Sequence, residues 1–253
     1  MRENRKKQII FELEQKSYIT VSDIAQKLNC SIMTIRRDFD ALEKEGIIKR
    51  LPGGAVLAFP TKRPFANFRK EIDAVGKIAS KLVEPGSVIC IDAGTSSRAV
   101  AAHLPADFPV TIITTSLCCS FEVKPNPNMH IIQVGGTINF DTYSTFNDLS
   151  LDTYGYLSSD IAFISTFAFN LPGGAHEKSL TLLPPKQYLA SLAKKVVLLL
   201  DHTKIGLNAL CISMPLEKID TIITDSNTSA TQIESLRNTG KEILIADMNA
   251  EEI

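Results

Sequence analysis

No apolar run in this 253-residue chain approaches the ~18–20 residues that a membrane-crossing helix needs, which excludes a helical membrane protein. The opening Met1-Arg2-Glu3-Asn4-Arg5-Lys6-Lys7 runs into a charged segment with no apolar signal core, so export is not expected and the cytoplasm is. The five cysteines, at positions 30, 90, 118, 119 and 211, form no CxxC pair, which points to a reducing compartment without a disulfide framework. Four scattered histidines offer no metal-ligand spacing, and no metal is expected. There is no GxxxxGK(S/T) loop and no GxGxxG following a strand, so no cofactor is expected either. Hydrophobic residues nevertheless reach 44%, enough for a sizeable core and too many for a disordered chain. The length suits one large domain or two smaller ones.

The net charge of −1 conceals a division. Residues 1–63 carry 13 Lys and Arg against 8 Asp and Glu, a net of +5, whereas residues 64–253 carry 14 against 20, a net of −6. A basic head suits nucleic acid, because cationic side chains displace counterions from phosphates.

The head reads as a winged helix-turn-helix over residues 1–57. A first helix is expected from about Arg5 to Lys16, with Ile9, Ile10 and Leu13 on one face. Thr20, with Asp23 three residues on, signals the start of a second helix, whose apolar stripe is Val21, Ile24, Ala25 and Leu28. Asn29-Cys30 makes a turn, Ser31 caps a third helix, and Gly46 ends it. In that third helix Ile35, Phe39 and Leu42 repeat at core spacing, turning Met33, Arg37, Asp40 and Lys44 outward. A recognition helix offers its N-terminal residues to base edges, so Ser31, Met33, Thr34, Arg36 and Arg37 are the expected reading set. Two apolar pieces around Pro52-Gly53-Gly54 then read as a hairpin wing, with Lys49, Arg50 and Gly53 beside the DNA backbone. Residues 58–72, with prolines at 60 and 64, read as a linker.

From residue 73 to 253 the expected fold class is α/β. Strand-length apolar runs recur at Val88–Ile91, Val110–Ile113, His130–Val134, Ile161–Ile164, Val196–Leu200, Thr221–Ile223 and Glu242–Ile245. Helical patterns lie between several of them, at Ser97–Leu104, Pro185–Ala193 and Ala230–Arg237. Such alternation argues for a largely parallel sheet covered on both faces. Nearly every run ends in small polar or charged residues, and in open α/β sheets the carboxyl ends of the strands form the ligand crevice. Asp92-Ala93-Gly94-Thr95-Ser96-Ser97 offers hydroxyls and backbone N–H groups at a helix start, an anion-binding arrangement, and Arg98 follows as a candidate cation. Gly135 and Gly136 end another run. Asp201-His202-Thr203-Lys204 ends a third, with Lys204 a compact cation suited to phosphate or carboxylate. Adjacent Cys118 and Cys119 read more readily as helix packing than as a metal or redox site.

Several of these segments resemble one family. The succession Thr34-Ile-Arg-Arg-Asp38, Leu42-Glu43, Pro52-Gly-Gly-Ala55 looks like the head of the DeoR family of bacterial transcription regulators. Asp92-Ala-Gly-Thr-Ser96 is similar to the family's DxGTT segment, Asp201–Gly206 to its DxSKxG, Thr224-Asp225 to its ITD and Gly135-Gly136 to its GG. The resemblance implies a repressor of carbohydrate-use genes that binds double-stranded operator DNA as a homo-oligomer, dimer or tetramer, and is released by a small phosphorylated sugar. It also implies a sensor domain resembling ribose-5-phosphate isomerase and CoA-transferase folds, which keeps an isomerase-like enzyme as the alternative. Arg69 and Lys77 match basic positions of the family ahead of the first body strand. Ser165–Asn170 lacks the family's glycines, and Leu183-Pro-Pro-Lys-Gln187 lacks its acidic residue; both departures are expected to alter a pocket wall.

Overall fold

A computed structural model describes residues 2–16, 18–45, 47–57, 69–107, 109–123, 127–146 and 156–248. The chain divides into two units, Met1–Pro64 and Phe65–Ile253.

The first unit is three helices and a three-stranded antiparallel sheet. The helices are α1 (Arg2–Gln15), α2 (Val21–Lys27) and α3 (Ile32–Lys44). The strands are β1 (Ile19–Thr20), β2 (Ile48–Leu51) and β3 (Gly54–Leu57), in the order β1-β3-β2. The caps fall where the sequence puts them. Thr20 Oγ1 accepts from Asp23 N at 3.0 Å, and Ser31 Oγ accepts from Thr34 N at 3.1 Å, each satisfying a first-turn N–H that has no intrahelical partner. Asn29, at φ 48°, ends α2 in the left-handed region, which an asparagine tolerates. Ile9, Leu13, Ile24, Ile35, Phe39, Leu42, Ile48 and Ala55 form the core of this unit. Gly54 is required by close approach: a Cβ there would lie 2.1 Å from the Ile19 carbonyl oxygen. The expected end of α3 at Gly46 lies outside the described residues, as does 58–68 of the expected linker. The rest of that linker is corrected: residues 70–72 already form the first turn of the next helix.

The second unit is built on a seven-stranded sheet in which every neighbouring pair is parallel. Its strands are β4 (Val88–Ile91), β5 (Val110–Thr114), β6 (Met129–Gln133), β9 (Ser159–Ser165), β12 (Ala193–Leu199), β14 (Thr221–Asp225) and β15 (Glu242–Ala246). The order β15-β14-β12-β9-β4-β5-β6 means that the chain winds outward from β4 to one edge, returns to β9, and winds to the other. The switch point is the seam between β4 and β9. Helices α4 (Lys70–Ser80), α5 (Thr95–Ala102), a single turn α6 (Cys119–Glu122), α7 (Leu183–Ser191) and α8 (Ala230–Arg237) complete the layers. One core holds Val75, Ala79, Ile89, Ile91, Val100 and Phe163; the other holds Cys90, Ala162, Ile164, Tyr188, Leu189 and Leu198. Adjacent residues of a strand thus feed opposite cores, as a sheet buried on both faces requires. Two small antiparallel additions carry no long apolar run: β7 (Thr137–Asn139) with β8 (Ser144–Phe146), and β10 (Ala168–Asn170), β11 (Gly174–Glu177) and β13 (Cys211–Met214).

Candidate functional sites

In the head, Ser31, Met33, Arg36 and Arg37 are exposed at the start of α3 and Thr34 is half-buried. The hydroxyls of Ser31 and Thr34 are 2.8 Å apart and hydrogen-bonded to each other. Asp38 faces inward, buried, and takes both an Nε–H and a terminal N–H of Arg5. Gly53, at φ +80°, occupies the third position of the Leu51–Gly54 turn, where a left-handed residue is needed after Pro52. The Arg50 guanidinium pairs with Asp40 of α3, and its backbone N–H donates to Glu43 Oε1 at 2.8 Å, so the wing is tied to α3 while the side chain stays partly exposed. Both partners are exposed, so the pair contributes about 0–1 kcal/mol.

In the body, Asp92 follows β4 and lies across the switch-point seam from the end of β9. Its Oδ2 accepts from Ser165 N at 3.1 Å and from Ser165 Oγ at 2.5 Å. Lys186 of α7 reaches the same oxygen, donates to the Ser165 carbonyl at 2.8 Å, and stands 3.3 Å from Glu177 of β11. Asp92, Glu177 and Lys186 are all buried. Burial pushes the Asp92 carboxyl up, but Lys186 and Ser165 outweigh it and hold it below the usual carboxylate range. Burial lowers Lys186, and Asp92 and Glu177 more than reverse that, so it stays protonated. For Glu177 burial wins and its carboxyl is raised despite Lys186. Gly94 is dictated by this junction: a Cβ would lie 1.7 Å from Ser165 Oγ. Ser165, within a segment that departs from the family pattern, thus fills the space a side chain at position 94 would need.

α5 begins at Thr95 with no side chain capping its first turn. Thr95 is exposed and Ser96 buried. The Ser97 hydroxyl donates to the Phe163 carbonyl at 3.2 Å and fastens α5 to β9, leaving its first-turn backbone N–H as the part of the expected anion-binding arrangement. Arg98 is buried and pairs with Glu122 of α6, the turn that follows β5. Gly135 and Gly136 follow β6, the edge strand two places from β4 in the sheet.

Asp201 ends the β12 segment and caps a 3-10 turn, His202–Lys204. Its Oδ2 is shared by Arg69, at 3.1 Å, and Lys204, at 3.4 Å. Asp201 is held low by Lys204, Thr203 and Arg69 against its burial, whereas burial depresses Lys204 against the pull of Asp201. Lys204 also acts electrostatically on Glu177 and Lys186, so the two strand-end clusters form one field. Glu177 and Lys186 were missed by sequence reasoning. The available signal was Lys186 one turn before Leu189, on the face of α7 that the core claims. Pro184 and Pro185 stand in the first turn of α7, where missing N–H groups cost nothing. Cys118 and Cys119 are buried, and Cys119 is pushed up to about 12, so neither is a thiolate.

A helix-turn-helix with a wing, joined to a parallel α/β body with charged clusters at its strand ends, defines a DNA-binding regulator with a sensor domain. Comparison gives the family: residues 5–61 match the DeoR-like helix-turn-helix domain and residues 68–226 the DeoR C terminal sensor domain, so the chain belongs to the DeoR family. It is 32% identical over 250 residues to the HTH-type transcriptional regulator GolR of Listeria innocua, covering 96% of this chain and 98% of that one. It is 27% identical to the HTH-type transcriptional repressor GlcR of Bacillus subtilis, covering 98% and 97%. Ribose 5-phosphate isomerase A of Methanocaldococcus jannaschii is similar at 19% identity over 53% of each chain, with a TM-score of 0.38. The chain is a DNA-binding transcriptional regulator, and the isomerase alternative falls away because its relatives are named as regulators. Among the described residues no helix is long and apolar enough to cross a membrane.

Proposed function

We propose that the protein is a repressor of carbohydrate-use genes that a small phosphorylated sugar releases from its operator, acting as a homo-oligomer. One observation carries the effector half. The uncapped start of α5 lies directly after Asp92 at the topological switch point, and Lys204 stands on a neighbouring strand end within the same electrostatic field. First-turn N–H groups and a lysine suit a phosphate, and the Asp92–Lys186 pair and Glu177 suit sugar hydroxyls. The family's sensor domain and a relative named as a repressor support the reading.

The test is a thermal-shift screen against sugar phosphates, the matching free sugars and inorganic phosphate. A ligand raises stability by about RT ln(1 + [L]/Kd). One phosphorylated sugar should raise the melting temperature while its free sugar does not, and Lys204→Ala should weaken that ligand by about tenfold or more. Arg37→Ala should abolish specific DNA binding and leave the ligand shift intact. An absence of any phosphate-dependent shift would sink the effector assignment and leave the DNA-binding assignment standing.

A further inference from the structure

α3 opens with two large apolar side chains, Ile32 and Met33, that are 49% and 60% exposed. Neither belongs to the core of the head, which takes Ile35, Phe39 and Leu42 from this helix. The exposed positions that follow are Arg36, Arg37, Asp40, Glu43 and Lys44, all charged. The hydroxyls at the helix start are engaged, since Ser31 and Thr34 bond each other and Ser31 caps the Thr34 N–H. The tip of α3 therefore presents methyl and thioether groups, where its later turns present charge.

A base pair offers the major groove one prominent apolar group, the C5-methyl of thymine. We propose that Ile32 and Met33 read thymine methyl groups, so that each half-site carries thymine where the tip of α3 enters the groove. The inference rests on α3 being the recognition helix. It separates two kinds of contact on one helix: apolar selection at the tip, and guanine or phosphate contacts from Arg36 and Arg37 one turn on.

The experiment uses the full chain. Binding sites are enriched from a random duplex pool, and each thymine of the winning site is then replaced singly by deoxyuridine, which removes only the methyl. At fixed salt, one or two positions per half-site should weaken binding about threefold to fivefold on losing the methyl. Ile32→Ala and Met33→Ala should erase that thymine-to-uracil difference without changing the salt slope, since no phosphate contact is lost. Both residues are exposed, so the melting temperature of each variant should match the parent. A site indifferent to every uracil, or a uracil penalty that persists in the Ile32→Ala/Met33→Ala double variant, overturns the inference alone. A pool from which nothing is enriched overturns the DNA reading beneath it.

Discussion

Among the described residues Lys186 is the cation that pairs with both Asp92 and Glu177, and the two carboxyls respond to it differently. Asp92, held low, contributes stability that is present above its unfolded value near 3.9 and lost as the pH falls below that value through the lower folded one. Glu177 has the opposite sign. Its folded carboxyl is raised, so the folded chain holds more proton than the unfolded one from about 4.3 upward, and stability falls as the pH rises through that window. Glu177→Gln should flatten the slope, read as melting temperature against pH from about 4 to 8. An unchanged slope would mean that Glu177 is not raised. Lys186→Ala should instead cost about 3–5 kcal/mol by chemical denaturation, because it strands a buried Asp92 carboxylate. None of this was legible along the chain: Asp92 stood out through its glycine and hydroxyl neighbours, whereas Glu177 and Lys186 gain meaning only when β11 and α7 come to the β4–β9 seam.

At the scale of elements the sequence was most readable where strands are buried on both faces. All seven strands of the parallel sheet correspond to apolar runs, most cleanly in inner strands such as β4 and β14, which are covered on both sides, whereas the edge strands β6 and β15 keep exposed positions at His130, Glu242 and Ile245. The antiparallel additions escaped notice because they are three or four residues long and half polar or glycine-rich, like Thr137–Asn139 and Gly174–Glu177. α4 escaped because the reading carried the linker into its first turn. Its packing depends on one glycine. A Cβ at Gly76 would lie 2.5 Å from the Ala99 Cβ and 2.7 Å from the Ala99 carbonyl carbon, so α4 lies directly on the backbone of α5. Gly76→Ala should therefore destabilise the body by about 1–3 kcal/mol despite the better helix propensity of alanine, seen as a lower denaturant midpoint. A higher midpoint would mean that the two helices can part without loss.

For the whole molecule, control of the head by a crevice ligand requires a coupling free energy, typically about 1–3 kcal/mol, and coupling is reciprocal. Operator DNA should weaken the effector as much as the effector weakens DNA. Arg69 is the first described residue after the segment joining the two units, and it binds the same Asp201 oxygen as Lys204. A ligand that draws Lys204 away alters what holds Arg69. Arg69→Gln should therefore leave the separate affinities near their parent values and reduce the coupling, measured by titrating effector with and without operator. Full coupling in that variant would show that the signal leaves the crevice by another route.

The parallel sheet also sets a timetable. β4 pairs with β9, so Ile89 must wait for Ile161, and the edge strand β15 ends only at Ala246. The head has its own core and its last strand ends at Leu57. At roughly 5–20 residues per second, a ribosome needs on the order of ten seconds or more to make the remainder. Through that interval the nascent chain is a finished cationic head trailing an unfinished acidic body. Synthesis delivers the grip on nucleic acid first, and the sensor domain is complete only with the last strands.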